Sequence, residues 1–96
     1  MQIKMSLLDI LKNSSSAIVD VRTEKEFLMG SSKGSINIPL DQIPNNITDI
    51  TNMQPVVLCC AAGIRSEQAV QFLIENGLNH VYNGGSWQNV QKMLDK

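Results

Sequence analysis

Pro55-Val56-Val57-Leu58-Cys59, running on through Cys60-Ala61-Ala62-Gly63-Ile64-Arg65-Ser66, is the stretch on which the reading of this chain turns. An apolar run of strand length enters a short loop of small residues. From Ser66 the apolar positions Ala69, Val70, Leu73 and Ile74 recur at helical spacing until Gly77 ends the pattern. The pattern predicts a buried strand, a tight loop and a helix N-terminus, with a cysteine at the first loop position. Successive backbone N–H groups at such a loop, backed by the positive end of the helix dipole, make a concave anion site. A cysteine at its rim is expected as thiolate, the form that attacks. Free cysteine titrates near ~8.5, and each unit of depression is worth about 1.4 kcal/mol in favour of the anion. The stretch therefore points to an activated sulfur nucleophile.

Working outward, the chain alternates strand and helix signals. Ile3 and Met5 alternate with Gln2 and Lys4 as in a short half-buried strand, and Ser6 caps a helix carrying Leu7, Leu8, Ile10 and Leu11. Ala17-Ile18-Val19-Asp20-Val21 is apolar enough for a strand covered on both faces. Thr23-Glu24-Lys25-Glu26 is a capping box that opens a helix with Phe27 and Leu28 turned inward, and Gly30 to Gly34 breaks it. Ser35 to Ile38 reads as a third strand closed by Pro39. Leu40, Ile43, Ile47 and Ile50 recur at helical steps, with Pro44 opening a short helix at its first turn. Asn79 to Tyr82 is a last strand, and Asn83-Gly84-Gly85 turns into a helix holding Trp87, Val90, Met93 and Leu94. The expected fold is α/β, a central five-stranded, mostly parallel sheet with helices on both faces and the Pro55–Cys59 strand central. In such sheets ligands bind at the carboxyl ends of strands, where Cys60 lies.

Ninety-six residues fit one domain spanning 1–96, which buries roughly two thirds of its unfolded surface. The apolar share of 43% supplies one core, while a net charge of -1 leaves no basic stripe for nucleic acid and no polybasic membrane anchor. The N-terminus has no apolar signal core and the longest apolar run, Val56 to Ala62, is too short to span a bilayer, so a cytoplasmic protein is expected. Adjacent Cys59 and Cys60 are expected as reduced thiols.

Cys60 is favoured as the functional thiol because Arg65 and a helix N-terminus lie beside it. Alternation turns Cys59 into the core as a structural thiol. Two cysteines and a distant His80 do not supply the four ligands of a zinc site. Arg65 is a cation beside a positive dipole end and calls for an anion, either a substrate or the Cys60 thiolate. Gly63 supplies the positive φ that a ring of inward N–H groups needs, and Ala61, Ala62 and Ile64 act through their backbone. Asp20 and Arg22 read as a scaffold salt bridge that braces the loop, His80 as a surface residue, and Trp87 as core.

Four ordered segments together resemble the rhodanese-like (sulfurtransferase) family, over a span from about Ser6 to Leu94. Asp20-Val21-Arg22 with Glu26-Phe27 is similar to its D-V-R-x-x-x-E-[FY] segment, and Gly34-Ser35-Ile36-Asn37-Ile38-Pro39 to its G-A-x-N-I-P. Cys60 through Ser66 matches the C-x-x-G-x-R-S active loop, and Gly77-Leu78-Asn79-His80-Val81 with Gly84-Gly85 matches the G-[FY]-x-x-V…G-G tail. Two departures concern the pocket rim: Gly30-Ser31-Ser32-Lys33-Gly34 stands in place of G-H-I-x-G, and Trp87 follows Gly85 by only two positions. The resemblance implies a five-stranded parallel sheet, a persulfide on Cys60, and no metal or organic cofactor. Phosphatase relatives on this fold place five residues between cysteine and arginine; four stand between Cys60 and Arg65 here, a ring suited to a single sulfur atom.

The expected chemistry is transfer of sulfane sulfur from a small anionic donor such as thiosulfate to a thiol or protein acceptor. Cys60 is its nucleophile, and Ala61, Ala62, Gly63, Ile64 and Arg65 hold the donor and the terminal sulfur. Alternatives are a binding or sulfur-relay module using the same loop, a small phosphatase or arsenate reductase, and a redox pair of Cys59 with Cys60.

Overall fold

The structure, a computed structural model, describes residues 6–13 and 15–96. Ten elements follow in chain order: α1 (Leu7–Lys12), β1 (Ala17–Asp20), α2 (Glu24–Leu28), β2 (Ile36–Asn37), a 3-10 helix (Leu40–Asn46), α3 (Ile47–Met53), β3 (Val56–Cys60), α4 (Ile64–Glu75), β4 (Val81–Ser86) and α5 (Trp87–Leu94). The four strands among the described residues are all parallel, in the order β2-β1-β3-β4. The strand expected around Ile3 and Met5 lies outside the described residues. No described helix is long and apolar enough to cross a membrane.

Strand β3 is buried at all five positions, as its unbroken apolar run requires of a strand covered on both faces. Alternation divides it. Val56, Leu58 and Cys60 face Ile50, Ala69, Val70 and Leu73 on the α3 and α4 side. Val57 and Cys59 face Ile10, Leu11 and Val90 on the α1 and α5 side. Two apolar layers thus enclose the sheet, and the two cysteines belong to different layers.

Local rules set most boundaries. Ser6 with Asp9, and Thr23 with Glu26, form the reciprocal capping boxes that start α1 and α2. Gly77, at φ +91°, lies just past the end of α4.

Other expectations needed correction. Leu28 is 74% exposed and Ile74 48%, because short or one-sided helices bury only one stripe. Pro44 does not open a helix. The chain already turns at Pro39, whose carbonyl accepts from Gln42 N–H at 2.8 Å, and Pro44 lies inside the resulting 3-10 helix. Helix α4 begins at Ile64 rather than Ser66, since Gly63 takes φ +91° at its N-cap.

The largest difference is at β4, which continues through the expected Asn83-Gly84-Gly85 turn to Ser86. Leu58 pairs with Asn83 but Cys59 pairs with Gly85, so Gly84 is an extra, bulged residue. Glycine is needed there. A Cβ on Gly84 would stand 2.7 Å from both Val57 Cγ1 and Val90 Cγ2. Gly84→Ala is therefore expected to lower stability by about 1–3 kcal/mol in urea unfolding, the usual cost of overpacking. An unchanged midpoint would show that β4 is not seated as described.

Candidate active site

Strand β3 ends at Cys60, residues 61–63 bend, and α4 begins at Ile64. The bend folds the chain back over the cysteine side chain. Gly63 N–H donates to Cys60 Sγ at 3.0 Å, Ser66 N–H donates at 3.4 Å, and the Ser66 hydroxyl lies 3.3 Å from the sulfur. Gly63 makes this possible twice over, through its positive φ and because a Cβ there would come 3.3 Å from Gly85 Cα.

Burial of Cys60 disfavours its charged form, but hydrogen bonds from the Ser66 hydroxyl and from the N–H groups of Ser66, Ala62 and Gly63 outweigh it, and the thiol lies below its ordinary range. Cys59, next in sequence and more deeply buried, has no such donors. Burial first, and then the nearby Asp20 carboxylate, push it up to about 12. It remains a neutral core thiol at physiological pH. Both cysteines are free.

Of the residues singled out in the sequence, Gly63 and Ala62 turn their N–H groups to the sulfur, while Ala61 and Ile64 present exposed positions around the bend. Ser66 contacts the sulfur too, through both backbone and side chain, a role beyond the helix start that its spacing predicts. Its signal was the final serine of the loop segment.

Arg65 differs more from expectation. It is compensated within the chain: Nη1 and Nη2 donate to Glu26 Oε1 and Oε2 at 2.6 and 3.0 Å. These bonds raise the Arg65 pKa further, and hold Glu26 down to about 2, with help from Thr23 N–H. Glu26 was legible only as a capping residue, although its place four residues after Arg22 repeats in the family segment.

Arg22 and Asp20 form the scaffold pair anticipated for them. Asp20 is fully enclosed and accepts Arg22 Nη2 at 2.8 Å and Nε at 3.0 Å. The same guanidinium donates to the carbonyls of Glu26 and Gly30, and lies 5.2 Å from the centroid of the Trp87 ring. β1 thereby fixes α2, and α2 presents Glu26 to Arg65. His80 is exposed just before β4.

Two clefts flank the loop without being lined by Cys60. One of about 800 Å³ is lined by Ala62, Gly63, Ile64 and Asn83 with the outer face of α4. Another, of about 420 Å³, lies between Thr23, Leu40 and Arg65. The site is defined by the hydrogen bonds at the sulfur rather than by either cleft.

The Glu26–Arg65 pair gives a pH expectation. The carboxylate titrates near 4.5 unfolded and about 2 folded, so its stabilisation is fully present above pH 4.5 and is lost as pH falls through about 2. The stability difference between wild type and Glu26→Gln should thus narrow across that window in acid unfolding curves. A difference that does not change with pH would mean that the pair is not formed in solution.

A family model described as the rhodanese-like domain matches residues 5–92. The chain is similar to the uncharacterized protein YqhL of Bacillus subtilis, 39% identical over 66 residues, which cover 69% of this chain and 52% of that protein. It also resembles the thiosulfate sulfurtransferase GlpE of Shewanella oneidensis, 31% identical, covering 80% of this chain and 76% of that one. Among solved structures, a rhodanese with anions from E. coli superposes with a TM-score of 0.70 at 31% identity, covering 77% of this chain and 89% of that one. The chain spans about half the length of the first of these relatives.

Proposed function

The chain belongs to the rhodanese-like domain family, and on that footing we propose that it is a sulfurtransferase carrying sulfane sulfur on Cys60 as a persulfide. The observation that carries the reading is the aim of the Gly63 and Ser66 N–H groups at the Cys60 sulfur. Such donors favour an anionic sulfur and need no rearrangement when charge develops. The relative named as a thiosulfate sulfurtransferase supports thiosulfate as the donor class.

In the first step the Cys60 thiolate attacks the outer sulfur of thiosulfate. A Cys60 S–S bond forms, the thiosulfate S–S bond breaks, and sulfite leaves with the bonding pair. In the second, an acceptor thiolate attacks the terminal sulfur, takes it as its own persulfide, and restores the Cys60 thiolate. Backbone N–H groups of the loop from Ala61 to Arg65 hold the terminal sulfur. Arg65 has two N–H groups engaged by Glu26, and its remaining donors, which bond to no other described residue, would meet the sulfonate end of the donor. Both steps need Cys60 reduced, which fits a reducing compartment such as the cytoplasm.

A second reading is a sulfur-relay module that uses the same loop. Relay would give persulfide formation without sustained turnover on thiosulfate.

Mass spectrometry after exposure to thiosulfate tests the proposal. Wild type is expected to gain the mass of one sulfur atom, reversibly with thiol, and Cys60→Ser to gain nothing. Equal gain in both, or gain in neither, would remove Cys60 from the chemistry. No phosphate release from an aryl phosphate is expected, because the four-residue loop is one residue shorter than the phosphatase ring.

A further inference from the structure

The Ser66 hydroxyl has one proton and two neighbours that call for it. Its Oγ stands 2.7 Å from Asn83 Oδ1 and 3.3 Å from Cys60 Sγ. The orientation of the Asn83 amide follows from its other contacts. Gly85 N–H, which can only donate, meets Oδ1 at 2.9 Å. The Gly63 carbonyl at 3.1 Å and the Glu67 carboxylate at 3.4 Å, which can only accept, meet Nδ2. Oδ1 accepts only, so the contact with Ser66 is a hydroxyl donating to an amide oxygen. With its proton committed there, Ser66 turns lone pairs toward Cys60. Those accept from a thiol S–H but repel a thiolate.

Ser66 is fully enclosed, which leaves no solvent to supply the missing donor. The Gly63 and Ser66 N–H groups carry no such conflict, and serve the sulfur in either state.

We propose that Asn83 is a positioning residue for Cys60, holding the Ser66 hydroxyl proton while the sulfur is a neutral thiol and yielding it when the sulfur becomes an anion. The proposal rests on the reading of Cys60 as the nucleophile. The step is a rotation of one hydroxyl about its C–O bond, with no covalent bond made or broken except the S–H that ionises. Asn83 touches no reacting atom and acts only through Ser66. Its competition holds back the acidity that the N–H groups confer, and this has chemical value. Thiolate nucleophilicity falls as the thiol becomes more acidic, with a Brønsted slope of about 0.4–0.5.

Other charged groups also act on the sulfur. Arg65, with Glu26 behind it, and Cys59 with the Asp20–Arg22 pair lie around Cys60, while Glu67 faces Asn83 from α4. All are retained in the variants that test the proposal.

The pH dependence of Cys60 reaction with 4,4′-dithiodipyridine is to be compared in wild type, Ser66→Ala, Asn83→Ala and the double variant. Ser66→Ala should move the midpoint up. Asn83→Ala should move it down, with a several-fold faster reaction below the wild-type midpoint and a slower high-pH plateau. In the Ser66→Ala background, loss of Asn83 should produce no downward shift. A merely structural Asn83, whose loss loosens the N–H groups, would raise the midpoint in both single variants. That outcome, or an unshifted Asn83→Ala, overturns the proposal.

A measurement on the unaltered protein guards against a variant that fails to fold. The Asn83 side-chain carbonyl carbon signal in NMR should shift with the Cys60 midpoint, and a flat signal would overturn the proposal equally. Because these experiments read thiol titration and not sulfur gain, the competition can fail while persulfide formation stands, and the reverse.

Discussion

The 3.0 Å hydrogen bond from Gly63 N–H to the Cys60 sulfur is the contact around which this molecule is arranged. It forms only if β3 ends at Cys60, if Gly63 adopts φ +91°, and if α4 starts at once so that Ser66 returns over the sulfur. Cys59 shows what a neighbouring thiol without the contact becomes. It carries the same thiol on the opposite face of the strand, more deeply buried and without donors at its sulfur, and is pushed up to about 12 while Cys60 is drawn down. Desolvation acts on both thiols. Hydrogen bonds from the Ser66 hydroxyl and from the N–H groups of Ser66, Ala62 and Gly63 outweigh burial at Cys60, while at Cys59 deeper burial and the Asp20 carboxylate act unopposed by any such donor.

The rest of the scaffold keeps that loop in place by a chain of polar contacts running across the top of the sheet. Asp20 holds Arg22, Arg22 holds the Glu26 and Gly30 carbonyls, Glu26 holds Arg65, and Arg65 stands beside Ser66 at the start of α4. The links differ in energetic character. The Asp20–Arg22 pair is buried, so breaking it by truncating one partner strands a charge and costs about 3–5 kcal/mol. Glu26 and Arg65 are each about a third exposed, at 37% and 34%, where solvent screens the pair. Its value lies more in where it places the arginine than in stability. On the other side of the loop Asn83 ties β4 to Gly63 and Ser66, and the Gly84 bulge lets β4 continue past it without a clash in the α5 layer.

Much of this was legible in the sequence, for physical reasons that can be traced residue by residue. The all-apolar Val56–Cys60 run could only be a strand covered on both faces, and the Thr23–Glu26 capping box was a local rule that tertiary packing had no cause to override. Cys60, Gly63 and the Asp20–Arg22 brace followed from loop and strand-end chemistry. What escaped were properties set by distant partners. Glu26 satisfied a local role so completely that nothing marked it as the partner of a residue 39 positions away. Asn83-Gly84-Gly85 carries the composition of a turn, and only the demand of Val57 and Val90 for space turns it into a bulged strand. Ser66 looked like a helix start because its second function, facing a sulfur, depends on a backbone bend that composition does not encode.

Backbone N–H groups and the Ser66 hydroxyl together draw the Cys60 thiol below its ordinary range in an enclosed site. The most direct test is ultraviolet thiolate absorbance followed against pH in wild type and in Cys60→Ser. Wild type should show a titration below the ~8.5 of a free thiol, absent from the variant, with Cys59 silent until far higher pH. A wild-type curve with no step below that value would contradict this lowering.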